Sequence, residues 1–184
     1  MRLSITRAVS IGAVGGLAAF LSSGPAAPHG AQLFILLIGW AGYSRFGDKL
    51  AGLKPALAHL LLGAAFAALA LVLVTQLPYG ETLGAAAWTA IVAALTLGAL
   101  AYAASLPGLG AFAAALLGYV ALLAAAAIGG ADKIVALAPD NAALIGVLSL
   151  VAGALSGCFA DALAETAQKY LPLRRSPTRS ATSA

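Results

Sequence analysis

The sequence predicts an all-α membrane fold, a bundle of six transmembrane helices with both ends cytoplasmic, and three observations predict it. Charged side chains are too few for a water-soluble surface, apolar stretches reach spanning length, and basic residues gather on alternate connections. Soluble domains carry about 25% charged residues, whereas this chain of 184 residues has 9%, against 62% hydrophobic residues. A soluble fold of this size needs a mostly polar exterior, and a lipid solvent removes that need.

A spanning helix takes roughly 20 apolar residues, because the hydrocarbon core is about 30 Å thick and a helix rises about 1.5 Å per residue. The stretches Ala8 to Gly24, Pro55 to Leu77, Thr82 to Leu106, Leu109 to Ala131 and Asn141 to Ala160 approach or meet that length, with His59 their one ionisable side chain. The first also fits a secretory signal in its basic start. Residues 22–28, SSGPAAP, offer no clean small-x-small cleavage site free of proline, and the uncleaved reading is retained. The second span is the shortest, with an apolar core from Ala31 to Tyr43 and limits near Pro28 and Ser44. Taken alone its length suggests a re-entrant segment, but charge decides for a span. Six crossings put Arg2, Arg7, Arg45, Lys49, Lys54, Lys169, Arg174, Arg175 and Arg179 on the cytoplasmic side and leave Lys133 outside, the asymmetry the positive-inside rule requires. Arg45 then snorkels. Between Thr82 and Ala131 there is no charge, and Ser105-Leu106-Pro107-Gly108 marks the turn of a helical hairpin.

Residues 1–170 thus form the six-span domain. Residues 171–184, LPLRRSPTRSATSA, have almost nothing apolar to bury and are expected to be a disordered, basic, cytoplasmic tail. Small transporters often consist of two inverted three-helix repeats, and the halves match faintly. Pro28 and Gly39-Trp40 align with Pro107 and Gly118-Tyr119 at an offset of 79, and Gly63-Ala64 with Gly153-Ala154 at an offset of 90.

The net charge of +4 sits at segment ends, not in a stripe interleaved with aromatics, so no nucleic-acid partner is expected. HExxH pairs, Cys/His metal spacing, GxSxG and phosphate-cradling glycine loops are all missing, so neither enzyme, metal nor cofactor is expected. Cys158 has no intrachain partner and reads as a small core residue.

No Asp, Glu, Lys or Arg falls near the middle of any stretch, which argues against proton coupling. The fitting solute is small and neutral, guided by Gln32, Trp40, Thr89, Tyr119 and Ser149, with Thr96 and Ser156 as further hydroxyls. Arg45, His59 and Asp161 fall at one depth near the cytoplasmic face, as a gate or as structural anchors. For His59 the gate competes with a plainer interfacial histidine bonded to a neighbour, and an Asp161 contact to His59 or Arg45 would be ordinary packing. Gly12 and Gly16, and Ser149, Gly153 and Gly157, form small-xxx-small rows for close helix packing within the chain or between copies in a homo-oligomer. Trp88, Tyr43, Tyr79 and Tyr170 read as interface anchors.

The run from Gln32, QLFILLIGWAGYSRFGDKLAGLKPALAHLLLGAAFAALALVL, resembles a family of small bacterial inner-membrane proteins, a domain of unknown function numbered 1097. The likeness rests on Gly39-Trp40-Ala41-Gly42 with an aromatic following, on Gly52-Leu53-Lys54, on Gly63 and on the Ser149, Gly153, Gly157 pattern. Phe66 departs from it, standing where tryptophan is expected. The resemblance implies location and span count and carries no activity. The residues alone leave two functions in competition: a passive channel or facilitator for a small neutral solute, or a non-transporting membrane subunit that binds a partner.

Overall fold

In hydrocarbon every peptide group must find its partner inside the protein, and an α-helix satisfies this segment by segment. The computed structural model describes residues 5–27, 32–136, 138 and 141–170, and it is helical with no strand among them. Seven α-helices follow in order: α1 (Ile5–Ser23), α2 (Leu33–Ser44), α3 (Lys49–Gln76), α4 (Tyr79–Leu83), α5 (Ala85–Ala103), α6 (Phe112–Gly129) and α7 (Ala142–Tyr170), with a 3-10 turn at Ala131–Val135 before α7. Five of them, α1, α3, α5, α6 and α7, are long and apolar enough to cross a membrane, and the fold is that of a multi-pass membrane protein. Helix α2 is shorter, at 12 residues or about 18 Å. The region 171–184, expected to be a disordered tail, lies outside the described residues, as do Pro28 and His29.

Three boundaries differ from the hydropathy reading. Helix α3 starts at Lys49 rather than Pro55, and Pro55 lies inside it. A proline deprives only the carbonyl four residues back, here that of Ala51, in the first turn of the helix. Helix α7 continues past Ala160 to Tyr170, because the polar residues there extend the helix beyond the apolar stretch. The stretch from Thr82 to Leu106 is split at Gly84, whose φ of 87° no side-chain-bearing residue adopts comfortably. The turn after α5 falls where expected, with Gly108 also at φ 87°. Yet α5 lies mainly on α3 and touches α6 little, so the expected hairpin is continuous in chain but splayed in packing.

Helix ends meet at two poles. At one pole, Gln168 Nε2 donates to Thr6 Oγ1 at 3.0 Å, Arg7 bridges to Asp161 and Lys49 to Glu165. The starts of α1 and α3 therefore share this polar end with the last turns of α7. The opposite end holds the 3-10 turn with Asp132 and Lys133. There Asn141 caps α7, its Oδ1 accepting from the backbone N–H of Ala143 at 2.8 Å and Leu144 at 3.1 Å. The Tyr79 and Trp88 rings pack with centroids 5.0 Å apart and planes tilted by 57° at that end, and Trp88 Nε1 donates to the Leu73 carbonyl, a natural arrangement for interface anchors.

The core is made where helices of the first half cross helices of the second. Helix α2 packs on α7, and α3 on α6. A Cβ placed on Gly39 would collide with the Leu150 carbonyl, and one on Gly153 with the Leu36 carbonyl and, at 3.0 Å, the Trp40 nitrogen. At the other crossing, a Cβ on Gly118 would collide with the Leu60 carbonyl, and one on Gly63 with the Ala115 carbonyl and, at 2.8 Å, the Tyr119 nitrogen. Leu36, Gly39 and Trp40 map onto Ala115, Gly118 and Tyr119 at the offset of 79, and Leu60 and Gly63 map onto Leu150 and Gly153 at the offset of 90. Backbone meets backbone twice, by equivalent residues. Such contact maximises dispersion and Cα–H···O contacts, which drive association where no hydrophobic effect exists.

Candidate functional site

At the polar end α2 stops at Ser44, whereas its counterpart α6 runs on to Gly129 at the opposite end. Since Leu33 and Phe112 start the two helices at the same offset of 79, α2 is the shorter by six residues at its C-terminal end. The space so vacated is a cavity of about 530 Å³, with Ser44, Phe46 and Asp48 from the α2–α3 turn facing Arg7, Asp161 and Gln168. The turn itself is forced. Gly47, Asp48 and Lys49 have φ of 60°, 56° and 53°, and for the latter two the left-handed region costs on the order of 1–2 kcal/mol each. Gly52 closes the arrangement, since a Cβ there would collide with the Gly47 carbonyl.

Asp161 organises the wall of this cavity. Its Oδ1 takes the Arg7 guanidinium, with Nη2 at 2.9 Å and Nε at 3.1 Å, and its Oδ2 accepts from the Tyr43 hydroxyl at 3.1 Å. Tyr43 is 1% exposed, so the carboxylate is anchored on its inner side by a buried phenol and on its outer side by a cation. Glu165 pairs in turn with Lys49 and Lys169. Asp161 and Glu165 are thereby each paired with neighbouring bases.

Beneath the vestibule lies His59. It is 4% exposed, its Nδ1 sits 2.6 Å from the Pro55 carbonyl, and the Phe46 ring packs against it with centroids 5.2 Å apart. Its Nε2 is buried without a hydrogen-bond partner. His59 precedes Leu60, whose carbonyl meets Gly118. At the offset of 90 its counterpart is Ser149, buried on α7 and preceding Leu150, whose carbonyl meets Gly39. Trp40 and Tyr119 form the second equivalent pair. Tyr119 is buried and its hydroxyl lies 2.9 Å from Thr96 Oγ1, which also donates to the Val92 carbonyl at 2.8 Å. Trp40 is half-buried, and a Cβ on Gly157 would reach its ring at 2.8 Å.

The residues named from sequence as lining one path are therefore arranged differently. Trp40, Tyr119 and Ser149 stand around the two crossings, together with His59, which the sequence named as a gate or anchor. Thr89 does not join them: α5 turns Trp88, Val92, Thr96 and Leu100 inward at every fourth position, and Thr89 is exposed outside that stripe. Gln32 lies before the first turn of α2, half-buried, its Oε1 without a partner. Nor do Arg45, His59 and Asp161 form one cluster. Arg45 follows the end of α2 and is exposed, while the partners of Asp161 are Arg7 and Tyr43. Arg7 went unremarked as a site residue because 154 positions separate it from Asp161. The available signal was topological: the even span count expected from charge asymmetry would bring the start of the first span to the end of the last.

Among the glycines, Gly153 and Gly157 have close neighbours, the latter beneath Tyr43 and Trp40. Gly12 and Gly16 do not. They are exposed and a Cβ on either would meet nothing within 4 Å, because α1 buries Ser10, Val14 and Ala18 instead. Cys158 is buried. No group of three His, Cys, Asp or Glu that could hold a metal ion occurs among the described residues.

Beyond geometry, residues 8–165 match the model of a protein family described as a protein of unknown function, DUF1097. The chain belongs to the DUF1097 family. The match takes in both crossings, the vestibule wall to Glu165 and His59. Neither a curated protein nor a solved structure matches the chain.

Proposed function

We propose that this DUF1097 protein is a passive facilitator for a small neutral solute in a bacterial inner membrane. In this reading it spans the bilayer six times with the polar end cytoplasmic, and it acts without covalent chemistry or a cofactor. The observation that carries the proposal is the equivalence of the two glycine crossings. Two units of three spanning helices, each entering where the previous one left, necessarily run in opposite senses, and inverted repeats of that kind characteristically build transport paths at their interface. Helix α2 counts as a span here although it is short, since non-helical backbone at membrane depth is tolerated where protein buries it.

Three further features support neutrality of the solute. The spans carry no Asp, Glu, Lys or Arg near their middle, the vestibule acids Asp161 and Glu165 are paired with bases, and the polar groups beside the crossings are hydroxyls and an imidazole. The described cations Arg7, Arg45, Lys49, Lys54 and Lys169 belong to the polar end, and Lys133 to the other, the distribution expected if the polar end faces the cytoplasm.

Stopped-flow light scattering on proteoliposomes tests the reading, with water, urea, acetamide and glycerol as solutes. A protein-dependent permeability gain for at least one of them is expected, and no gain across the panel would sink it.

One observation favours the second reading, a non-transporting subunit: the bundle centre is backbone against backbone at both crossings, which leaves no opening between α2 and α7 or between α3 and α6. The outward Gly12 and Gly16 face would then receive the partner or a second copy. Crosslinking through cysteines at positions 12 and 16 distinguishes the two, since a facilitator acting as a monomer gives flux without a crosslinked product.

A further inference from the structure

We infer that His59 Nε2 is a hydrogen-bond acceptor for the solute, so that the pathway selects small neutral molecules carrying N–H or O–H donors, with amides of the urea and acetamide type the best fit. This rests on the facilitator reading and adds a site and a ligand chemistry to it.

The inference follows from donor and acceptor accounting. The partner of Nδ1 is the Pro55 carbonyl at 2.6 Å, and a carbonyl oxygen only accepts. Nδ1 must therefore carry the proton, and the neutral ring then presents a lone pair at Nε2. A doubly protonated ring would need a second acceptor at Nε2, and the described residues place none there. A buried acceptor left unpaired costs about 1–3 kcal/mol, and the large majority of buried polar side-chain atoms in native proteins have a partner. Only a donor repairs it.

The position suits a ligand that arrives from the polar end. Phe46 both lines the vestibule and stacks on the His59 ring, so displacement of this one side chain joins the two. Phe46 is only half-buried and belongs to a turn outside any helix, so its rotation need not disturb the glycine crossings. The vestibule rim offers an acceptor of its own in the Ser44 hydroxyl, which greets the same donor-bearing class. The acceptor at Nε2 also leaves an ion without advantage, since a neutral imidazole supplies no compensating charge for an anion and only one lone pair for a cation.

The test reads the site directly and the flux separately, on the full chain in nanodiscs and in proteoliposomes. With ¹⁵N-histidine labelling, the His59 Nε2 resonance, assigned by its loss in H59Q, is followed against urea, acetamide and tetramethylurea, the last having no donor. A saturable shift with urea and acetamide and none with tetramethylurea is expected. In flux, H59L is expected to reduce urea and acetamide permeability about tenfold, the worth of one hydrogen bond. H59Q, which keeps an acceptor and guards against misfolding of the leucine variant, should retain a third or more, and F46A should raise the rate. Absence of a shift, or an equal shift with tetramethylurea, would overturn the site even if flux is robust. A donor-selective shift in a protein without flux would uphold the site and overturn the facilitator. Equal flux through H59L, H59Q and the parent chain would also overturn the site.

Discussion

The α2/α7 crossing and the α6/α3 crossing are built from the same parts and finished differently. Both put a glycine of one helix against a carbonyl of the other, in equivalent registers. At the first crossing α2 ends early, Tyr43 reaches Asp161, and a strained turn opens a polar vestibule. At the second α6 continues, Leu122 occupies the position equivalent to Tyr43, fully buried, and a 3-10 turn closes the far end. The comparison teaches that helix association and polar function are separable here. The crossings hold the bundle, and a difference of a few residues at one end of one helix makes its two ends unlike.

The largest effect should come from filling the crossings. Gly63→Ala and Gly153→Ala each force a methyl into the facing carbonyl, and overpacking of this sort costs about 1–3 kcal/mol. If the crossings are equivalent, the two variants should lower thermal stability in detergent by similar amounts. A large loss for one and none for the other would break the equivalence. Gly12→Ala and Gly16→Ala, which meet open space, should be neutral or gain up to about 1 kcal/mol from helix propensity.

Asp161→Asn comes next, and it probes what distinguishes the first crossing. It weakens the Arg7 pairing and the acceptor for the buried Tyr43 hydroxyl. A loss of about 1–2 kcal/mol is expected, with the Tyr43→Phe/Asp161→Asn double variant less destabilised than the sum of its singles. Strict additivity in that cycle would remove the Tyr43 contact from the account. The smallest effect belongs to the Thr96–Tyr119 bond beside the second crossing. Tyr119→Phe should cost about 0.6 kcal/mol, the mean for interhelical hydrogen bonds in membranes, measured by the same melts. A larger loss, as large as that of Asp161→Asn, would mean that the second crossing too depends on a polar anchor.

Much of this architecture was legible in the sequence because lipid imposes a simple rule on composition and length. Five helices of spanning length follow the apolar stretches, and the interruption after α5 sits where proline and glycine signal it. The rule sees only the hydrocarbon core. It missed that α3 begins at Lys49 and α7 ends at Tyr170, because helices continue into the polar layer where charged residues are no obstacle. Glycine spacing likewise gave rows without faces. Gly12 and Gly16 repeat every four residues as Gly153 and Gly157 do, yet one row looks outward and the other lies against α2, and spacing within a helix does not choose between them. The weak alignment of the halves held more information than the rows, since it picked out Gly39, Gly63, Gly118 and Gly153, the four glycines of the two crossings. Asp161 was legible as a polar anchor at the membrane edge, but its partners were not. Arg45 is nearer in sequence to Tyr43 than Arg7 is, but it follows the end of α2 and is exposed, whereas Arg7 lies in the first turn of α1.

Because each crossing joins an early helix to a late one, the order of synthesis matters. Gly39 leaves the ribosome 114 residues before Gly153, and at about 5–20 residues per second that interval is roughly ten seconds. Throughout it α2 presents a bare glycine face to lipid, and α3 does the same for the 55 residues between Gly63 and Gly118, until the helices that cover them are made. A chain truncated before α6 would contain half of each crossing and neither complete, so the nascent protein depends on continued translation, or on a chaperone that shields those faces, to reach its packed state.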